Sequence, residues 1–184
     1  VGVSFNTPVI TKKHNLVLVG TGENRLQAFD IATGRQVWSY QYLAGFIGPL
    51  SLALLADGRQ VVLSSSKDGK LHAILVKSGR VYWSSSIQDV SSAPIVQSGT
   101  EIAVTTVANK LMVIKLGDGA VKWSKSAGKP QGLTINGHAS AAVHNDQVFV
   151  SWSNGYVECY NYQNGDKIWA RLISLSEDEF IDAD

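Results

Sequence analysis

This 184-residue sequence has little cysteine, proline or methionine, and it has no long apolar run. Its single cysteine, Cys159, excludes an intrachain disulfide. No apolar stretch approaches the roughly 20 residues that cross a bilayer as a helix. The first residues also have neither the basic segment nor the apolar core of a secretory signal. We therefore expect a fold that is held together by packing, without a cross-link or a membrane-spanning helix.

The sequence also has no concentrated positive charge. It contains 16 basic and 15 acidic residues, and five of the acids lie within residues 177–184. The lysines and arginines are dispersed, so no basic stripe could follow a phosphate backbone. The acidic segment lacks the glycine and the terminal glutamate of a known calcium loop, which favours a solvated charge run. Nucleic-acid binding and a metal site are not expected.

Motifs that carry out catalysis are absent as well. The tripeptide Gly20-Thr21-Gly22 lacks the third glycine of a dinucleotide site and leads into a strand, which indicates a turn. No nucleophile elbow or zinc-protease motif occurs. The four histidines have no metal-ligand spacing. They are His14, His72, His138 and His144. The sequence predicts no catalytic residue and no cofactor, and hence no enzyme.

A repeat that ends in glycine and tryptophan is the strongest positive signal. Each copy has a glycine followed four residues later by a tryptophan, and the glycines are 45, 40 and 46 residues apart. The pairs are Gly34 and Trp38, Gly79 and Trp83, Gly119 and Trp123, and Gly165 and Trp169. A period of about 40 to 45 residues is typical of repeat proteins built from small sheets.

Each repeat predicts strands joined by tight turns. Ten residues before the glycine stands a residue that reaches positive φ easily, as a hairpin requires: Asn24, Gly69, Asn109 or Gly155. Just before the glycine stands a short side chain that can hydrogen-bond to the turn backbone: Thr33, Ser78, Asp118 or Asn164. Alternation in the middle strand predicts one well-packed sheet face: Leu26 and Ala28, Leu71 and Ala73, Leu111 and Val113, Val157 and Cys159.

Two further strand signals precede each repeat, which gives four antiparallel strands per copy. Three copies have a proline near the first strand, as an edge strand allows. We therefore expect an all-β propeller with four blades, at approximately 5–42, 47–88, 92–128 and 137–173, in one domain over 1–184. The repeat tryptophans are expected to fill the wedges between blades. Trp152 lies outside this register and is expected to be less constrained.

The repeat resembles the tryptophan-docked blades of the pyrroloquinoline-quinone-type propeller superfamily. The first copy reads A-x-D-x-x-T-G-x-x-x-W from Ala28 to Trp38. Quinone-dependent dehydrogenases of that superfamily use a vicinal disulfide and calcium-binding acids, and a chain with one cysteine lacks that disulfide. The resemblance therefore implies the fold. A fragment of such a dehydrogenase and a ligand-sensing propeller remain alternatives.

Two long segments resemble loops of the BamB family, the propeller lipoproteins of the outer-membrane β-barrel assembly machinery. They are Leu133–Gly137 with the following Ala139–Ala141, and Phe180–Asp184. In that family the two loops contact POTRA domains of the central barrel protein. The resemblance implies the following binding residues. Leu133 and Ile135 would be apolar anchors, Asp182 and Asp184 would be acceptors, and Asn136 stands where the family has arginine.

This resemblance implies a non-catalytic scaffold on the periplasmic face of the outer membrane. Membrane attachment would then depend on a lipid anchor that is not present in this chain. A full ring of the family has about eight blades, so residues 1–184 resemble the first half. An open half-ring exposes the apolar faces of its end blades. We therefore expect self-association or a missing second half.

Overall fold

The computed structural model describes residues 7–21, 23–91, 93–127 and 140–173, which form sixteen β-strands and one 3-10 turn. The turn covers Lys12–His14. The first eight strands are β1 Val9–Thr11, β2 Leu16–Thr21, β3 Arg25–Asp30, β4 Gln36–Gln41, β5 Phe46–Leu54, β6 Gln60–Ser66, β7 Lys70–Leu75 and β8 Val81–Ser86. The others are β9 Val96–Ser98, β10 Glu101–Thr105, β11 Lys110–Lys115, β12 Val121–Ser126, β13 Ala142–His144, β14 Gln147–Ser151, β15 Tyr156–Asn161 and β16 Lys167–Leu172.

Four consecutive strands form each sheet, so the described residues make four four-stranded antiparallel blades. The spatial order follows the chain order in every sheet, from β1–β4 through β5–β8 and β9–β12 to β13–β16. Neighbouring strands within a blade are antiparallel throughout. The structure confirms the expected all-β propeller architecture with four blades.

The turns have the chemistry that the repeat predicts. The hairpin residues Asn24, Gly69, Asn109 and Gly155 have φ of 61°, 74°, 55° and 82°. The repeat glycines Gly34, Gly79, Gly119 and Gly165 have φ of 67°, 69°, 75° and 76°. The side chain before each glycine accepts a hydrogen bond from a backbone N–H two residues later, as in the 2.9 Å bond from Ala120 to Asp118. The same bond forms at Thr33, Ser78 and Asn164.

The first strand begins later than the sequence predicts in three blades. Strand signals start at Thr7, Ala93 and Ser140, whereas β1 begins at Val9, β9 at Val96 and β13 at Ala142. Pro8 and Pro94 therefore lie just before their strands, where the missing N–H costs no ladder bond. The third of these prolines, Pro49, lies in the second blade. There the pairing of β5 with β6 is irregular between Ile47 and Ser51.

The hydrophobic core lies between the blades rather than within any one of them. One cluster joins the first two blades, a second joins the second and third, and a third joins the third and fourth. As a result, the middle strands of the second and third blades are buried on both faces: Leu71–Ile74 and Leu111–Ile114 are all buried. The expectation that one sheet face is packed harder than the other is therefore wrong there. It holds for β3 in the first blade.

Each joint between blades has one tryptophan seated on a glycine of the next blade. The indole N–H groups of Trp38, Trp83 and Trp123 donate to the carbonyls of Val76, Leu116 and Tyr162 at 2.8, 2.7 and 2.9 Å. A Cβ on Gly79, Gly119 or Gly165 would lie 2.6, 2.7 or 2.8 Å from the indole atoms. Real Cβ atoms do not approach this closely, so only glycine leaves room for the ring. The expected wedge role is confirmed for these three tryptophans.

Two expectations about the fourth blade need correction. Val157 is only half-buried, because its side of the blade has no neighbouring blade among the described residues. Trp152 is not a loosely held residue, since it is 6% exposed and donates to Glu158 Oε2 at 2.6 Å. Tyr160 and Lys167 also donate to this carboxylate. Burial raises the pKa of Glu158, but the bonds from Lys167, Tyr160 and Trp152 outweigh it and lower the pKa overall.

Candidate partner-binding rim

One edge of the four blades carries the hairpins that join the two middle strands of each blade. The connections from each outer strand to the next blade leave from the same edge, because the fourth strand of a blade ends there. We call this edge the loop rim. The opposite edge, which we call the turn rim, carries the turns at the repeat glycines. Long connections occur only at the loop rim among the described blades.

The same backbone bond fixes the point at which each connection leaves its blade. The residue after the outer strand donates its N–H to the carbonyl of the hairpin residue with positive φ. The bond is 2.9 Å in all four blades: Tyr42 to Asn24, Ile87 to Gly69, Ala127 to Asn109 and Ile173 to Gly155. It extends the ladder by one pair beyond the strand. The segments 128–139 and 174–184 therefore leave the third and fourth blades from equivalent positions on one rim.

The five residues expected to bind a partner belong to these two segments. Leu133, Ile135, Asn136, Asp182 and Asp184 all lie outside the described residues. The structure shows where each segment leaves its blade: the first after Ala127 and the second after Ile173. Both points are on the loop rim, on neighbouring blades.

Hydrogen bonds tie the hairpins of the loop rim to one another. Asp89 follows the second blade and accepts the backbone N–H of Ala108, in the hairpin of the third blade, at 2.8 Å. Val107 in that hairpin also donates its N–H to the carbonyl of Val90 at 3.1 Å. The Asn109 amide then donates to the Ser153 hydroxyl of the fourth blade at 2.7 Å. These bonds make the rim of the last three blades a connected layer on which a partner could rest.

Apolar side chains are exposed along the loop rim. Leu43, in the connection after the first blade, is 100% exposed, and Ile173, at the exit from the fourth blade, is 67% exposed. Val107 lies between them on the hairpin of the third blade and is 48% exposed. Exposed apolar residues near a polar rim are common at surfaces that bind other proteins. Sequence periodicity does not predict these three residues, because they lie in turns and connections.

A buried polar cluster lies beneath the loop rim between the first two blades. The Ser66 hydroxyl donates to Asp68 and lies 2.8 Å from His72 Nε2. Because a serine hydroxyl has only one proton, Nε2 must be the donor to Ser66, so the neutral ring carries its proton there. Nδ1 is buried and has no hydrogen-bond partner among the described residues. The three side chains lie in one hairpin of the second blade, and the structure adds that Tyr42, which follows the first blade, covers the His72 ring.

The environment of His72 disfavours its charged form. The ring is packed edge-on against Tyr42, with centroids 5.2 Å apart, and its residue is 8% exposed. Burial lowers the pKa of His72, and the nearby carboxylate of Asp68 opposes this effect only in part. The hydrogen bond from Ser66 in turn lowers the pKa of Asp68. At neutral pH, His72 is therefore neutral and the neighbouring Asp68 is anionic.

The described part of the chain offers no grouped metal ligands. Within residues 7–21, 23–91, 93–127 and 140–173, no three histidine, cysteine or acidic side chains lie close enough to hold an ion. Cys159 is a buried free thiol, and burial raises its pKa. In the same residues, no helix has the length and apolarity needed to cross a membrane.

Comparison with known proteins identifies the family. The model of the family described as outer membrane protein assembly factor BamB matches residues 3–89 and 44–180. The protein of that name from Yersinia pestis is 27% identical over 157 residues, which are 81% of this chain and 39% of the relative. This chain thus spans about two-fifths of the length of that curated relative.

Two further comparisons bear on fold and on the enzyme alternative. The crystal structure of BamB from Moraxella catarrhalis superposes with a TM-score of 0.77 at 17% identity, over 95% of this chain and 52% of that one. Quinoprotein alcohol dehydrogenase PedH from Pseudomonas putida is 46% identical, but over only 55 residues, which are 29% of this chain and 9% of that enzyme. The enzyme match is confined to about one blade, whereas the family match runs through nearly the whole chain. This chain belongs to the outer membrane protein assembly factor BamB family.

Proposed function

We propose that this chain is a non-catalytic scaffold in the assembly of outer-membrane proteins and that it binds a protein partner through the loop rim. Membership of the BamB family, over nearly the whole chain, is the observation that carries this proposal. The name of the Yersinia pestis relative describes an assembly factor. The exits of both long segments on one rim are consistent with a single binding surface.

The binding residues that we propose are Leu133, Ile135, Asn136, Asp182 and Asp184. Leu133 and Ile135 would supply the apolar anchors, since a few buried apolar groups carry most of the energy of an interface. Asp182 and Asp184 would accept hydrogen bonds from the partner. Asn136 would replace the forked, charged donor of an arginine with a neutral amide, which weakens contact with an acidic partner group.

The partner that we propose is a POTRA domain of the barrel assembly protein, at the periplasmic face of the outer membrane. The connected rim would favour such an interaction, because hairpins tied by Asp89 and by Asn109 lose little conformational entropy on binding. The exposed side chains of Leu43 and Val107 would extend the apolar surface beyond the two long segments.

Calorimetric titration with isolated POTRA domains tests this function. A variant with Leu133→Ser and Ile135→Ser is expected to raise the Kd by about 30-fold or more, as loss of apolar anchors does elsewhere. Asp182→Asn with Asp184→Asn is expected to raise the Kd less, by about tenfold, because rim charges contribute less to affinity.

Leu54→Ser is the matched control. Leu54 is 50% exposed and ends β5 at the turn rim, so the same loss of an apolar side chain occurs on the opposite edge. This variant is expected to bind POTRA domains with unchanged Kd. Unchanged binding by both double variants would remove these residues from the site, and no binding by the folded wild-type chain would contradict the proposed partner.

A further inference from the structure

The charge of the turn rim is strongly uneven. Besides the turns at the repeat glycines, this edge carries the turn between the first two strands of each blade, which gives eight described turns at 12–15, 31–35, 55–59, 76–80, 99–100, 116–120, 145–146 and 162–166. The four turns of the first two blades carry six basic side chains and one acidic side chain. They are Lys12, Lys13, Arg35, Arg59, Lys77 and Arg80, with Asp57. We call this part of the edge the basic half.

The other four turns have the opposite charge. Those of the third and fourth blades carry three acidic side chains and no basic one: Asp118, Asp146 and Asp166. We call this part the acidic half. The basic residues are dispersed in the sequence, over residues 12–80, and they meet at one edge because every blade returns its turns to the same side. The fold thereby concentrates positive charge that the sequence spreads out.

Basic side chains from two blades meet at the joint between the first and second blades. Lys13, in a turn of the first blade, donates from Nζ to the carbonyl of Gly58 in the second blade at 2.6 Å. His14 is half-buried beside it. Burial lowers the pKa of His14, and the positive charges of Lys13 and Lys77 lower it further. Lys77 belongs to the second blade, so cations of both blades act on this one ring.

Most cations of the basic half have no anionic partner. Asp57 forms an ion pair with Arg59 at 2.6 Å, and the guanidinium lies 4.8 Å from the centroid of the Tyr82 ring. The other basic side chains of this half are exposed and form no ion pair with a described residue: Lys12, Lys13, Arg35, Lys77 and Arg80. Asp30, at the end of β3, instead accepts hydrogen bonds from Ala32 and Thr33 in the turn that follows it. The basic half therefore presents unneutralised positive charge to solvent.

We infer that the basic half binds an acidic segment of a second protein. Its exposed cations can pair with carboxylates, and complementary charge speeds association and disfavours basic partners. A linear acidic segment can follow the basic half without meeting the acidic half beside it. A broad anionic surface, such as a bilayer of acidic phospholipids, would also meet the carboxylates of Asp118, Asp146 and Asp166 and be repelled by them. The charge distribution therefore favours a polypeptide over a membrane.

This surface is separate from the loop rim. The two rims lie at opposite ends of the strands, and strands of about six residues span about 20 Å. The chain would therefore hold two proteins at once, one on each rim. Binding at the basic half would depend on none of the residues proposed for the loop rim, so the two functions can fail separately in experiments.

Fluorescence anisotropy with a labelled decaglutamate peptide tests this inference. The wild type is expected to bind the peptide, and Lys77→Gln with Arg80→Gln is expected to raise the Kd by about fivefold to tenfold, because each exposed ion pair contributes modestly. Both side chains are exposed in a turn, so the fold should be unchanged. Raising the salt concentration from about 50 mM to about 300 mM is expected to weaken binding by the wild type more than binding by the variant, since more of its contacts are screened.

Lys115→Gln with Arg25→Gln is the matched control. It also replaces one exposed lysine and one exposed arginine, so its net charge equals that of the test variant. Lys115 ends β11 beside the acidic half, and Arg25 begins β3 at the loop rim. The Kd of this control is expected to stay within about twofold of the wild-type value, because charges beyond a Debye length are largely screened.

Other outcomes would overturn the inference. If the wild type does not bind decaglutamate, the basic half is not a site for acidic segments. Equal weakening by both double variants would show an effect of net charge alone. Binding to vesicles of phosphatidylglycerol but not to decaglutamate, with that binding weakened by Lys77→Gln and Arg80→Gln, would assign the basic half to a membrane instead.

Discussion

At the scale of single residues, His72 shows how burial decides protonation. Ser66 gives its only proton to Asp68, so Nε2 of His72 must donate to Ser66 and Nδ1 is left as a buried acceptor. Protonation of Nδ1 would place an unpartnered N–H and a charge in the space between two blades. This physical reason accounts for the lowered pKa of His72, which follows mainly from burial.

The stability of the chain should therefore depend on pH through His72. Its folded-state pKa lies below the unfolded value of about 6.5, so the unfolded state binds more protons in the window beneath that value, and stability falls as pH falls through it. One proton gives a slope of at most about 1.4 kcal/mol per pH unit. Tyr40, Tyr42, Asp68 and Lys70 also face or neighbour the ring.

Urea unfolding of the wild type and His72→Gln between pH 5 and pH 7.5 measures this dependence. The difference in free energy of unfolding between the two proteins is expected to shrink as the pH falls, because glutamine has no proton to take up. His14→Gln is the control, since His14 also has a lowered pKa but is only half-buried and should affect the slope less. Parallel curves for the wild type and His72→Gln would contradict the assignment.

At the scale of elements, a blade is stabilised mainly by its neighbours. The core clusters lie between sheets, and each joint adds an indole hydrogen bond to a backbone carbonyl. Two separate constraints require glycine at this position in each joint. Its φ is positive, which costs other residues about 1–2 kcal/mol, and its missing Cβ gives the ring its space.

Comparison of Gly119→Ala with Gly99→Ala separates the cost of positive φ from the cost of crowding the indole ring. A Cβ on Gly119 would lie 2.7 Å from Trp83 and 3.1 Å from Ser85 Cβ, so overpacking adds about 1–3 kcal/mol to the cost of positive φ. We expect a loss of about 2–5 kcal/mol in the free energy of unfolding, measured in urea. Gly99→Ala has the same backbone penalty without the contact, so it should lose only about 1–2 kcal/mol. Equal losses would show that the indole contact contributes nothing.

At the scale of the whole molecule, the blades form a row in which each contacts mainly the next. Stability in such arrays is roughly a sum of terms for the units and for the joints between neighbours. The described residues contain four blades and three such joints.

Much of the fold could be predicted from the sequence because its signals are local and repeated. Positive φ at Asn24 and Gly34 depends on turn geometry over a few residues, and the spacing from Gly34 to Trp38 recurs with little change. The candidate site is less predictable. Its five proposed residues rest on resemblance to a family, because residues in connections follow no period. They stay predictions, since they lie outside the described residues.

The sequence by itself determined the strands, the turns and the number of blades, because each follows from short-range backbone preferences that four copies repeat. Only the tertiary structure decided which faces are buried, since burial depends on whether another blade lies alongside. Leu71 and Leu26 occupy the same column, yet β7 is covered on both faces and β3 is covered fully on only one. The burial of Trp152 and of His72 was decided in the same way, because residues of the preceding blade cover each side chain.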